Sequence, residues 1–254
     1  FQAEDGIRDC LLSRGLGDVY KRQVREWVKE NVSPIIEDCA LSGNFPKDIV
    51  KKLAEIGGFG GFLPTNYGGS EIDFTSYGLM MQELERGDSS IRVLSSVQSL
   101  VMNTIYSLGS DDQKQKYLPK LASGELIGSF GMSEPNHGSD PSSMKSHYSE
   151  EKDCYIVNGS KMWIGHAPIC DVAVIWAKSK SNKYAGFIVE RNTEGSVQMI
   201  TTLVNVGDNG LVTIGINADT DNKNWINPTA LSGRGDRLID SNGVWIHWFE
   251  ISEI

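Results

Sequence analysis

Apolar residues recur at three- and four-residue steps through Val24, Trp27, Val28, Val32 and Ile35, the spacing of an amphipathic helix. Pro34 either kinks that helix or ends it. Phe45-Pro46 opens a second helix with Ile49, Val50, Leu53 and Ile56 on one face and Gly57-Gly58 as its stop. Asp73 is placed to cap a helix over Phe74 to Arg86. A long helix from about Ser90 to Leu108 and another from Asp111 to Ala122 follow. Near Leu126 the pattern switches from helical spacing to alternation. Cys154-Tyr155-Ile156-Val157 is expected to be a strand, Asn158-Gly159 its hairpin turn, and Lys161 to Ile164 the returning strand. Asp171 to Trp176 and Tyr184 to Val189 give two more strands around a polar turn at Ser179 to Lys183. The predicted fold class is therefore α+β. An N-terminal all-α helical domain spans about 24–123, and a mainly antiparallel β domain, a small sandwich or barrel, spans about 124–195.

The two ends fit this pattern poorly. Residues 1–23 carry no sustained period, and no charged segment precedes an apolar one as a signal peptide requires. They resemble translated adapter read-through and are read as a leader foreign to the domain, with a genuine flexible leader as the alternative. Residues 196–254 hold strand-like runs, Leu203 to Val206, Leu211 to Ile214 and Val244 to Trp248, between Asn/Asp/Gly turns. This tail is either a chimeric join or a divergent β segment.

Charge narrows the function classes. A net charge of -9 leaves no basic stripe to neutralise phosphates, which excludes a nucleic-acid partner. No apolar run reaches the length of a membrane-spanning helix. Cys10, Cys39, Cys154 and Cys170 form no CxxC pair, so the expectation is reduced thiols rather than a zinc site or disulfide framework. His137, His147, His166 and His247 lack metal-ligand spacing, and no metal is expected. Gly57 to Gly61 fits neither GxGxxG nor a P-loop and reads as a helix terminator.

The chemistry concentrates at Ser129-Phe130-Gly131-Met132-Ser133-Glu134-Pro135-Asn136-His137-Gly138-Ser139-Asp140-Pro141. Its glycines and prolines force turns. Exposed backbone N–H groups beside Ser133 and Ser139 form a donor surface suited to an electron-rich carbonyl edge or a phosphate. Read alone, it is also an ordinary surface loop. Its residue order, however, strongly resembles the signature loop of acyl-CoA dehydrogenases, with the glutaryl-CoA dehydrogenase branch as the nearest pattern. Gly159-Ser160-Lys161-Met162-Trp163-Ile164-Gly165 resembles the family's second flavin-contacting segment. Leu63-Pro64-Thr65-Asn66-Tyr67-Gly68-Gly69 resembles a turn of its helical domain. The resemblance covers roughly Val24 to Gly195.

That resemblance implies FAD as cofactor. Phe130, Met132, Ser133, Gly138, Ser139, Trp163, Ile164 and Gly165 match the flavin-contacting positions. It implies an acyl-CoA substrate, with Ser139 near its phosphate moiety and Glu85 and Arg92 at the acyl end, where Arg92 would clamp a distal carboxylate. Val93 and Gly165 depart from the pattern, standing where serine and threonine are common. The family's C-terminal helical bundle, with the catalytic glutamate, is absent from the expected folding, so no catalytic residue is assigned in this chain. An electron-transfer flavoprotein as electron acceptor, a homotetramer, and a cytoplasmic (bacterial) or mitochondrial-matrix (eukaryotic) location are implied by the same likeness. The alternatives are a flavin- or acyl-CoA-binding fragment without turnover, a short-chain acyl-CoA dehydrogenase of other specificity, and a protein using neither ligand.

Overall fold

The computed structural model describes residues 16–151, 154–191 and 193, and the backbone of 196–207, 210–219 and 252–253. Six α-helices come first: α1 (Leu16–Asn31), α2 (Ile36–Ser42), α3 (Asp48–Glu55), α4 (Phe74–Gly87), α5 (Ser89–Leu108) and α6 (Asp111–Ala122). The strands are β1 (Gly128–Gly131), β2 (His147–Glu150), β3 (Tyr155–Asn158), β4 (Lys161–Met162), β5 (Val172–Lys178), β6 (Tyr184–Glu190), β7 (Ser196–Gly207), β8 (Gly210–Asp219) and β9 (Ser252–Glu253).

Contacts divide the described chain into two units. One holds residues 16–99 with 118–125, and the other holds 100–117 with the residues from 126 onward. This differs from the single cut near Ser123 expected from periodicity. A change of period marks where the type of element changes, not which neighbours each helix packs on.

In the first unit, the apolar face read from the sequence is buried at Val24, Trp27, Val28 and Val32. The helix begins at Leu16, inside the stretch read as a leader. Once a helical turn exists, adding residues costs little, and Lys21, Arg22 and Gln23 are good helix formers. Pro34 ends α1 rather than kinking it. On α3, Ile49, Val50 and Leu53 are buried, and Gly57 and Gly58 close it by donating to Ala54 O and Leu53 O, both at 2.9 Å. Asp73 caps α4, accepting from Thr75 N at 2.9 Å and Ser76 N at 3.0 Å. The Ser76 hydrogen bonds hold its carboxyl below the usual range. Buried Glu83 on α4 is gripped through both oxygens by Arg25 of α1, at 2.8 and 2.9 Å.

In the second unit, β5 is the centre of a mixed sheet. It pairs antiparallel with β6 and parallel with β1, and meets β2 in a parallel bridge at His147–Lys178. The run Val172 to Ala177 is almost continuously apolar because both faces of a central strand are covered. The β5–β6 hairpin uses the polar turn read from the sequence, closed by Ser179 N donating to Lys183 O at 2.8 Å. The core gathers Val157, Ile164, Cys170, Ile175, Phe187 and Val189. Tyr148 meets Phe187 edge-on and Tyr155 meets it at a tilt, with ring centroids at 5.0 and 5.5 Å.

One expected hairpin is not formed. β3 pairs with β2, whereas β4 is only Lys161–Met162 and pairs in parallel with β7 in a three-stranded sheet, β4-β7-β8. A tight Asn-Gly hairpin turn needs positive φ at both residues. Here only Gly159 has it, at +153°. The domain is mainly antiparallel as expected, with the β2–β3, β5–β6, β6–β9 and β7–β8 ladders antiparallel and three short parallel pairings among the described strands. Leu203 to Val206 and Leu211 to Ile214 lie in β7 and β8. Val244 to Trp248 and Cys10 lie outside the described residues.

Candidate functional site

β1 carries the chain out of the sheet into Met132-Ser133-Glu134, and four hydrogen bonds staple this course to residues 161–166. His166 Nδ1 donates to Gly128 O at 2.8 Å and Ser129 Oγ to Gly165 O at 2.8 Å. Lys161 Nζ donates to Met132 O at 3.0 Å and Met162 N to Ser133 O at 2.9 Å. The two blocks singled out in the sequence thus form one side-by-side element.

A buried ion pair sits behind it. Lys161 Nζ lies 2.9 Å from Glu134 Oε1, and both side chains are 4% exposed. Glu134 also accepts from Lys145 N at 2.6 Å and Ser146 N at 2.9 Å. Burial pushes the Glu134 pKa up, but the hydrogen bonds from Lys145, Ser146 and Lys161 outweigh it and hold the carboxyl below its usual range. Burial pulls Lys161 down, opposed by Glu134. Burial likewise lowers the pKa of His166, whose Nε2 has no partner among the described residues. Burial favours the neutral imidazole, and the bond to the Gly128 carbonyl calls for its proton on Nδ1.

The front of the element offers contacts. The hydroxyl and N–H of half-buried Ser133 have no hydrogen-bond partner among the described residues. Trp163, which alone would read as a core residue, is 53% exposed and holds a left-handed φ of +65°. Such a conformation is costly for a bulky side chain and clusters at ligand sites. Phe130 is half-buried with its ring 6.2 Å from that of Trp176. Met132 and Gly165 are half-buried too. Ile164 is different: its side chain is 2% exposed and belongs to the core, so its backbone alone remains for a ligand.

Gly138 and Ser139 stand apart, both exposed, after the reciprocal hydrogen bonds of Glu134 and His137 at 3.1 and 3.2 Å. The chain then closes a short 3₁₀ turn, Pro141–Ser143, capped by Asp140. Hydrogen bonds from the Ser142 and Ser143 hydroxyls lower the Asp140 pKa.

Glu85 and Arg92, in the helical unit, pair with each other. Arg92 Nε is 2.7 Å from Glu85 Oε2, and Ser89 Oγ donates to Glu85 Oε1 at 2.7 Å. The bond from Arg92, then that from Ser89, lowers the Glu85 pKa. No group of three metal-ligating side chains occurs among the described residues. No described helix is long and apolar enough to cross a membrane.

Sequence reasoning passed over Ser129, Glu134, Lys161 and His166 as individual groups. For Lys161 and Glu134 a signal existed: each places a charge inside a block otherwise made of turn and apolar residues.

Residues 18–125 match the family model described as acyl-CoA dehydrogenase, N-terminal domain, and residues 129–217 the one described as acyl-CoA dehydrogenase, middle domain. The helices carry the first match and the β unit with its stapled loop carries the second. The second match runs past Gly195, where the likeness read from motifs ended, and takes in β7 and most of β8. A 2-methylacyl-CoA dehydrogenase from Solanum tuberosum is 35% identical over 183 residues, covering 69% of this chain and 44% of that protein. Among solved structures, a glutaryl-CoA dehydrogenase from Mycobacterium smegmatis in complex with FADH2 is 34% identical with a TM-score of 0.72, covering 80% of this chain and 52% of that one. A glutaryl-CoA dehydrogenase in complex with glutaryl-CoA is 32% identical with a TM-score of 0.72, covering 81% and 53%. The chain belongs to the acyl-CoA dehydrogenase family. It spans about half the length of the relatives it matches.

Proposed function

We propose that this chain is the helical and middle-domain part of an FAD-dependent acyl-CoA dehydrogenase acting on a glutaryl-CoA-like substrate. The observation that carries the reading is the stapled element that leaves the Ser133 hydroxyl and N–H without a partner among the described residues, beside exposed Trp163. Free donors fit the carbonyl edge of a flavin, and an exposed indole fits its ring face. When bound, the flavin supplies the acceptor for a hydride leaving the acyl β-carbon. The chain's own part would be to hold the ring through Met132, Ser133 and Trp163, with Phe130, Ile164 and Gly165 lining the same element and exposed Gly138 and Ser139 available to a phosphate moiety. Removal of the α-proton, and decarboxylation of a glutaryl substrate, belong to the whole protein, in which the family's base is a glutamate of the C-terminal domain. Transfer of electrons to an electron-transfer flavoprotein and tetramer formation are likewise proposals for the whole protein. Location is cytoplasmic for a bacterial source and the mitochondrial matrix for a eukaryotic one.

The test is flavin retention by the purified chain. FAD should copurify or bind on addition, with Ser133→Ala weakening it about tenfold, one lost hydrogen bond to an electron-rich acceptor, and Trp163→Ala by at least as much. Absence of flavin binding, or equal affinity in all three proteins, would leave these as ordinary loop residues.

Arg92 carries the substrate part of the proposal. Its pair with Glu85 is 35% and 46% exposed, and such solvent-screened pairs contribute little. It is therefore cheaply exchanged for a substrate carboxylate held by the same planar fork. Arg92→Lys should reduce the preference for glutaryl-CoA over butyryl-CoA about tenfold while leaving butyryl-CoA unchanged, measured as the ratio of kcat/KM in the complete enzyme. An unchanged ratio would reduce the assignment to a general acyl-CoA dehydrogenase.

A further inference from the structure

We propose that the buried Lys161–Glu134 pair sets the donor strength of the Ser133 N–H, so that Lys161 is a positioning and tuning residue for the flavin although it does not touch it. This rests on the flavin reading above.

Lys161 Nζ donates to Met132 O at 3.0 Å. The Met132 carbonyl and the Ser133 N–H are the two ends of one peptide group. A cation on the oxygen draws electron density across the amide and makes the N–H at the other end a stronger donor, an effect strengthened in a low-dielectric surrounding. That N–H is the one left without a partner among the described residues.

A purely structural role accounts for less. Glu134 already holds residues 145 and 146 through their backbone N–H groups, at 2.6 and 2.9 Å. Met162 N donating to Ser133 O at 2.9 Å already ties the two segments. Replacing these two side chains, each 4% exposed, by an apolar pair would forfeit the hydrogen bonds to residues 145 and 146 but little ion-pair energy, because desolvating both charges opposes their attraction. What an apolar pair cannot provide is a positive charge on a peptide oxygen. Glu134 has the complementary task of keeping that ammonium charged and aimed. Reduction places negative charge on the flavin, so the strengthened donor favours the reduced form over the oxidised one.

The experiment uses the chain with FAD and compares wild type with the double variant Lys161→Met/Glu134→Gln, which removes the charge while leaving no unpaired ion. Oxidised FAD should bind within about threefold of wild type. Reduced FAD should lose about tenfold more, equivalent to a two-electron potential about 30 mV lower. Lys161→Arg, which retains the cation, should keep the wild-type potential. If the double variant does not fold, Lys161→Gln against Lys161→Arg makes the same comparison. Flavin bound by wild type with an equal potential in the charge-lacking variant overturns this inference alone. So does an equal loss for both redox forms, the mark of a structural role. A wild-type chain that binds no flavin overturns the flavin reading and this inference with it.

Discussion

Lys161→Ala is expected to lower the unfolding free energy by about 3 kcal/mol, toward the lower end of what breaking a buried ion pair costs. The substitution leaves Glu134 with 4% exposure and no counter-charge. Two backbone N–H donors remain on the carboxylate, from Lys145 and Ser146. They keep the loss from reaching the full penalty of an isolated buried ion. Glu134 can also respond by taking up a proton, so the loss should shrink as pH falls toward the ordinary carboxyl range. Pairing Lys161→Ala with Glu134→Gln should restore more than half of it. Denaturant unfolding at neutral pH measures the loss, and a change below about 1 kcal/mol would mean the pair behaves like a surface ion pair.

Gly69→Ala should be of similar size, about 3 kcal/mol, for a steric reason. A Cβ at Gly69 would lie 1.9 Å from the carbonyl oxygen of Leu63 and 2.4 Å from its carbonyl carbon. Both are main-chain atoms of the turn that Gly69 itself closes by donating to Pro64 O at 3.1 Å. No rotamer change can relieve such a contact, so the turn must open or the helical unit must shift, at the upper end of overpacking costs. The preceding glycine has a different task, with φ of +84° ending the 3₁₀ turn Thr65–Tyr67. Gly78→Ala is the matched control, because a Cβ there meets nothing within 4 Å. It should be neutral or slightly stabilising in its helix. Equal thermal midpoints for the two variants would remove the steric argument.

The helices were legible in the sequence because their signals are local. The spacing of Val24, Trp27, Val28 and Val32, the cap at Asp73 and the stop at Gly57-Gly58 each depend on residues within a turn or two. The strands of 172–178 and 184–190 were legible for the same reason. The partner of β4 was not, because Lys161–Met162 pairs with residues nearly 40 positions away, and a two-residue strand has no period to read. At the candidate site, the order of residues in two blocks gave the family. Spacing could not reveal that four hydrogen bonds join the blocks, that Ile164 turns into the core while its neighbour Trp163 turns out, or that Arg92 rests on Glu85. Those depend on which backbone atoms meet after folding.

The parallel pairing of β1 with β5 also bears on how the protein reaches its native state. Gly128 lies beside Val172, so some 40 residues, including the signature loop from Met132 onward, form the crossover between two neighbouring strands. Closing a loop of that size costs roughly 3 kcal/mol in chain entropy before any contact offsets it. Local helices need no such closure and should form early. The β5–β6 hairpin, with its five-residue turn, should precede the docking of β1. Substitutions in the stapled element should consequently speed unfolding while hardly slowing refolding, the signature of contacts made after the rate-limiting barrier.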